Sequence, residues 1–281
     1  MKSPQSTVHG PRSKPKIGII GCGTIGSEIA KACLLRLNGA IELTAICDID
    51  REKASALQKT LGGKVAILGI DGLIEKVDVV VEAASAKISG EILEKAVRSE
   101  KDLLVMSVGG LIGREPLLKE AAKKGVRLYI PSGAICGIDG LKSASVGKID
   151  SVRLTTRKPL KGLAGAPYLK EKGIEIDSIK EETVIFEGNA KDAIRWFPQN
   201  VNVSAVLSLA GLGAEKTEVR IVTSPDYTKN IHEVEIRGSC GVIRTVTENV
   251  PSAANPKTSA LAILSAIATL EGITKNIRIG T

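Results

Sequence analysis

"KIGIIGCGTIGSEIAKA" (Lys16–Ala32) decides how the rest of the chain is read. An apolar run ends in Gly21, Gly23 and Gly26, spaced G-x-G-x-x-G, and a helical pattern follows at once. In that setting Gly21 permits a tight turn and Gly23 lets backbone approach a pyrophosphate. Gly26 lets helix and strand pack closely. Thr24 and Ile25 open the helix, whose free N–H groups and positive dipole end suit a phosphate. The next apolar stretch, "IELTAICD", ends in Asp48, at about the ~20-residue separation expected of a ribose-binding acid. Such a carboxylate accepts hydrogen bonds from ribose hydroxyls and repels a 2′-phosphate. Arg51, three residues on, could instead receive that phosphate. NAD is therefore the preferred cofactor and NADP stays open. The plain alternative is a glycine turn in an α/β protein that binds no nucleotide.

Outward from this turn, short β-branched runs alternate with helical segments as far as "VRLYIPSG". Near-continuous apolar strands between helices imply a parallel sheet covered on both faces. After Ser132 the texture changes. "SVRLTTRKP", "EETVIFEG", "TEVRIVTSP", "NIHEVEIRG" and "GVIRTVTEN" alternate polar and apolar residues, as strands covered on one face do. Two short helices are expected near Ala190–Trp196 and Val203–Ala210.

The expected fold class is thus α/β, a Rossmann-type doubly wound parallel sheet with a second α+β domain of mostly antiparallel strands. The expected division is a flexible tail over 1–15, a dinucleotide-binding domain over 16–131 and a substrate domain over 132–254. A C-terminal helical segment over 255–281 returns to the first domain. Its helix is expected to run from Pro256 to about Leu270, capped by Asn255. The Gly-rich stretch Leu160–Ser178 reads as a long loop, either a lid or a surface excursion.

Composition narrows the functional classes. No apolar stretch reaches the ~20 residues that cross a bilayer, and the tail lacks the apolar segment of a secretory signal. Five scattered cysteines offer neither a C-x-x-C pair nor a disulfide framework, so no metal is expected and a reducing cytoplasm is the simplest setting. The net charge of +8 could suggest nucleic acid, but aromatics at 2% leave few platforms for stacked bases. A basic balance also suits a small acidic substrate.

The chain has two histidines, His9 in the tail and His232 in "NIHEV". With period-two alternation His232 shares the apolar face of its strand with Val234 and Ile236. It is either an ordinary buried histidine or an acid/base group at a cleft, where an ordinary pKa near ~6.5 suits proton transfer. Asn200 and Asn202, before an apolar helix, either cap it or hold a carboxamide. Ser132, Gly133 and Ala134, where the first domain ends, allow close approach of a flat ring.

Several blocks together carry a resemblance. "GIIGCGTIG", "VVVEAAS", "PSGAICGIDGLKSA", "LTTRKP", "VIFEGNAKDAIRWFPQNVNVSAVLSLAG", "NIHEVEIRG" and "NPKTSALAILSA" occur in the order seen in L-aspartate dehydrogenases. The chain resembles that family from about Lys16 to its C-terminus. The resemblance implies a Rossmann domain joined to an α/β domain. It also implies reversible oxidative deamination of L-aspartate with NAD or NADP, giving iminoaspartate, or oxaloacetate and ammonia. Iminoaspartate could feed NAD biosynthesis. Carried over by position, the catalytic histidine falls on His232, as general base, and dinucleotide contacts fall on Ala134 and Asn202. Cys136 stands where relatives often have glycine, and "SVGGL" replaces a commoner "STGAL".

A dicarboxylate needs cations, and Arg157, Lys158 and Lys257 are candidates because each lies in one of these blocks. A homodimer is expected through the antiparallel sheet. Competing readings are a homoserine or dihydrodipicolinate reductase relative and a thiol enzyme using Cys136. The paired histidines of the second are missing here, and no histidine is left to activate the thiol of the third. A non-catalytic NAD sensor is the alternative from another class.

Overall fold

Beyond Lys16 the first strand, β1 (Lys16–Ile20), is buried residue after residue, which requires cover on both faces. The computed structural model describes residues 13–198, 202–252 and 255–281, without the side chains of 256 and 257. Strands β1, β2 (Glu42–Cys47), β3 (Ala66–Ile67), β4 (Val79–Glu82), β5 (Asp102–Val105) and β6 (Leu128–Tyr129) form one parallel sheet in the order β3-β2-β1-β4-β5-β6. This is the doubly wound order, whose direction switches between β1 and β4 and opens a crevice at the strand ends. Helices α1 (Thr24–Leu35), α2 (Arg51–Thr60), α3 (Ile70–Lys76), α4 (Ala86–Arg98) and α5 (Glu115–Lys123) connect the strands. Ile17, Ile19 and Ile29 lie in one apolar layer, and Ile20, Val80 and Ile92 in the other.

The second sheet joins β7 (Ile149–Pro159), β8 (Thr183–Asn189), β9 (Thr217–Ser224), β10 (Asn230–Gly238) and β11 (Gly241–Asn249) in the order β11-β10-β7-β9-β8. All its pairings are antiparallel except β7 with β9. Val152, Leu154, Val234 and Ile236 point to the buried face, where α6 (Ile138–Ala144) adds Leu141. The opposite face carries charge. Glu235 there accepts from Arg237 and Arg244, and Arg153 pairs with Glu218.

Two stretches depart from expectation. Leu160–Ser178 is not an open loop. It contains α7 (Leu160–Leu163), α8 (Pro167–Lys172) and a 3-10 turn, and Leu163, Ala166 and Leu169 are sunk in the second core. Apolar residues at these spacings fold the segment onto the protein. Helices α9 (Ala190–Trp196) and α10 (Asn202–Ala210) follow.

The last helix also starts later than expected. Residues Asn255–Ser259 form β13, paired antiparallel with β12 (Pro251–Ser252), and α11 spans Ala260–Thr274. Asn255 and Pro256 read locally as a helix start. The ladder instead engages the chain, with Ala260 N–H donating to the Val250 carbonyl at 3.0 Å. Ala266 and Leu270 of α11 are buried in the first sheet's core.

Candidate active site

The glycine turn sets one wall. Gly21 has φ +106°, and a Cβ there would lie 2.4 Å from the Ala83 carbonyl oxygen. At Gly26 a Cβ would lie 1.8 Å from the Gly21 carbonyl oxygen, so this crossing of helix and strand admits no side chain. Gly23 is different. It is exposed with open space around it, and no side chain caps the helix that Thr24 begins. An uncapped helix start above a glycine turn fits a pyrophosphate.

Asp48, just past β2, accepts from Cys22 N–H at 2.6 Å and from Asp50 N–H at 2.8 Å. Its carboxylate thus ties the glycine turn to the neighbouring strand end and keeps lone pairs for a ribose. Beneath the crevice Glu82, fully buried, accepts from Ala84 N–H and Ser107 N–H, each at 2.9 Å. It fastens together the turns that follow β4 and β5. Burial pushes its carboxyl up from the usual range, against the pull of those N–H donors.

Between the two sheets lies a cleft of about 180 Å³. That is smaller than the ~300–1,000 Å³ usual for drug-sized ligands, and it suits a small substrate. Ile25 reaches it from the glycine turn, Ala134 from the "PSGA" turn and Asn202 from the start of α10. Lys158 and His232 line it from β7 and β10, and Ser259 from β13. The expected residues Ile25, Ala134, Asn202, Lys158 and His232 are therefore neighbours around one space. Gly21, Gly23, Thr24, Gly26 and Asp48 belong to the adjoining turn.

The other two cation candidates part company. Arg157 alternates with Lys158 along β7 and holds Glu233 at 3.0 Å, so its charge is already matched. The side chain of Lys257 and the whole of Asn200 fall outside the described residues. Asn202 does not cap its helix, since its Oδ1 accepts from Gly109 N–H at 3.2 Å and ties the start of α10 to the 3-10 turn after β5. Cys136 is exposed and does not line the cleft.

Among the described residues around the cleft, the titratable groups are Lys158 and His232. Lys158 is 7% exposed and no acidic group reaches it among the described residues; burial alone lowers its pKa to about 8. Burial, and then the charge of Lys158, lower the His232 pKa to about 3. At neutral pH the site holds one neutral imidazole and one unmatched cation.

Besides Glu82, three supporting residues escaped the sequence reading. Thr156, opposite His232, places its hydroxyl 3.1 Å from Nδ1. Ser259 donates to Asn249 at 2.6 Å, and Asn249 donates to the Ala134 carbonyl at 2.9 Å. That relay holds the "PSGA" turn against β11. Nothing in the pattern of short polar residues within strands marked any of them.

A doubly wound sheet with a glycine phosphate turn, sharing a cleft with a second sheet that carries a histidine, defines a pyridine-nucleotide dehydrogenase with two sheet layers. The family described as "Homoserine dehydrogenase, NAD binding domain" matches residues 21–131, and "Aspartate dehydrogenase, C-terminal" matches residues 139–273. The L-aspartate dehydrogenase of Methanosarcina mazei is 48% identical over 272 residues, covering 95% of this chain and 99% of that one. That of Methanocella arvoryzae is 46% identical with the same coverage. The crystal structure of aspartate dehydrogenase from Thermotoga maritima superposes with TM-score 0.75 at 28% identity, covering 95% of this chain and 99% of that one. The chain belongs to the L-aspartate dehydrogenase family.

Proposed function

We propose that this protein catalyses the NAD(P)-dependent, reversible oxidative deamination of L-aspartate, giving iminoaspartate and then oxaloacetate and ammonia. The observation that carries this reading is Lys158, a buried cation without an acidic partner among the described residues, facing a cleft the size of a small substrate. A buried charge is costly unless it is matched, and a substrate carboxylate is the partner this one lacks.

The residues divide the work. Gly21, Gly23, Thr24 and Gly26 hold the pyrophosphate, and Asp48 the adenosine ribose, which favours NAD over NADP. Ala134 and Asn202 flank the nicotinamide, which when bound supplies the hydride acceptor. Lys158 anchors a carboxylate of the substrate, and His232 stands at the reacting carbon. The apolar wall of Val105, Val108 and Val203 excludes water. Holding donor carbon and acceptor ring in register is the main source of acceleration, since positioning alone contributes several kcal/mol. Dimerisation through the exposed sheet surface, where Val242 and Val246 stand uncovered on β11, belongs to the same proposal, as does a cytoplasmic setting for the free cysteines.

The test mixes the protein with L-aspartate or other amino acids, with each dinucleotide, and follows formation of reduced nicotinamide. Reduction specific to L-aspartate is expected. A faster reaction with another amino acid, or none with any, overturns the reading.

A further inference from the structure

Thr156 and His232 face each other in the register of β7 and β10, with Oγ1 3.1 Å from Nδ1. Thr156 is fully buried and His232 nearly so. A buried hydroxyl has one proton to place, and an unplaced donor costs more than an unfilled acceptor lone pair. Among the described residues, Nδ1 of His232 is the acceptor that this hydroxyl reaches. The hydroxyl therefore donates, and Nδ1 is the unprotonated nitrogen. Burial and the neighbouring Lys158 keep the ring neutral at ordinary pH. A neutral imidazole whose Nδ1 accepts must carry its proton on Nε2.

We propose that Thr156 is a positioning residue that locks His232 in the Nε2–H tautomer, so that the substrate meets a hydrogen-bond donor and not a base. The chemical role rests on the L-aspartate reading. In the aminating direction Nε2–H hydrogen-bonds the 2-oxo oxygen of oxaloacetate. As ammonia forms the new C–N bond, the carbonyl π electrons move onto that oxygen. Two protons of the added ammonia then pass to it through water, the C–O bond breaks and it leaves as water, giving iminoaspartate. In the deaminating direction the same donor holds the oxygen of the water adduct. The hydroxyl proton passes through water to the nitrogen, the oxygen electron pair re-forms the C=O bond as the C–N bond breaks, and the nitrogen leaves as ammonia. The ring proton stays on Nε2 throughout, and no bond to the imidazole forms or breaks. A neutral histidine can serve as an electrophile in this way. The base role expected for His232 from the sequence is replaced by that of a polarising donor.

Because the chain has two histidines, ring-¹⁵N-histidine labelling gives two imidazole patterns, and His9→Asn removes one. Two-bond ¹H–¹⁵N correlation spectra of the protein without ligands read the tautomer directly. The expected result is a protonated Nε2 and a bare Nδ1 at neutral pH. Thr156→Val should release the ring to a population with Nδ1–H. It should also lower kcat for L-aspartate by about tenfold or more while NADH affinity stays within about twofold. Thr156→Ser should restore both. A proton on Nδ1 in the unaltered protein, or an unchanged pattern in Thr156→Val, overturns the proposal. If Thr156→Val does not fold, the unaltered spectrum and Thr156→Ser decide it. The spectra need no substrate, so absent aspartate turnover would overturn the functional reading and leave the tautomer result standing.

Discussion

Lys158 and His232 stand on adjacent strands with their side chains on one face of the second sheet, a buried amine beside a buried imidazole. The charge of Lys158 lowers the pKa of His232 further than burial does alone. One cation is left for the substrate, and it titrates at about 8.

Binding of a dicarboxylate should follow that titration. Succinate has no amine of its own to confuse the profile. Where both its carboxylates are ionised, its inhibition constant against L-aspartate should be level on the neutral side of pH 8 and should weaken as pH rises through about 8, while NADH affinity stays level. Tighter binding at high pH would remove Lys158 from the carboxylate site.

Replacing the cation should separate function from stability. Lys158→Met should weaken succinate binding by about tenfold or more, yet leave the melting temperature unchanged or higher, because an unmatched buried charge is gone. The folded pKa of Lys158 lies below its ordinary 10.5, so the unfolded chain binds more protons between about 8 and 10.5. Over that window the unaltered protein should gain stability with rising pH. Urea titrations should show this slope reduced in Lys158→Met.

The same reasoning applies to His232 on the acid side. Its folded pKa is lowered from 6.5 to about 3. The stability it contributes is complete above 6.5 and is lost as pH falls toward 3, where the unfolded chain binds the extra proton. His232→Gln should flatten that part of the acid profile by up to roughly 5 kcal/mol. Equal slopes in the two proteins would place the imidazole in contact with water. His232→Gln should also lower turnover by about a hundredfold with NADH affinity retained.

The glycines of the turn should fail in different ways. Gly26→Ala puts a carbon where the Gly21 carbonyl already sits, and the fold should lose roughly 2 kcal/mol or more. Gly23→Ala meets open space, so its melting temperature should match the unaltered protein. Its NADH affinity should nevertheless fall, since the added methyl stands where the pyrophosphate approaches. Unchanged affinity in Gly23→Ala would move the dinucleotide away from this turn.

What could be read in advance followed from strong local physics. β1, the glycine turn and α1 were legible because a strand apolar beyond Lys16, a glycine spacing and a helical period coincide within seventeen residues. His232 could be placed on the apolar face by alternation alone. The start of α11 could not, because Asn255-Pro256 satisfies a helix-capping pattern while the competing antiparallel pairing with β12 is not encoded in that local pattern. Arg157 and Lys158 looked equivalent as charges. Strand alternation separates them, and the ion pair with Glu233 shows which one is spent. Thr156 and Glu82 act through pairings distant in sequence, 76 residues to His232 and 25 to Ser107, so no local signal could have revealed them.

The placement of α11 bears on how the protein is made. Ala266 and Leu270 complete an apolar layer begun by Ile17 and Ile19. During vectorial synthesis the nucleotide-binding half therefore emerges first but waits with part of its interior open until residues 260–274 have been translated. The second half, whose buried core residues fall between 134 and 236 with only partly buried Ile243 and Ala262 added from beyond, can close most of its interior earlier. The half made first is the half finished last.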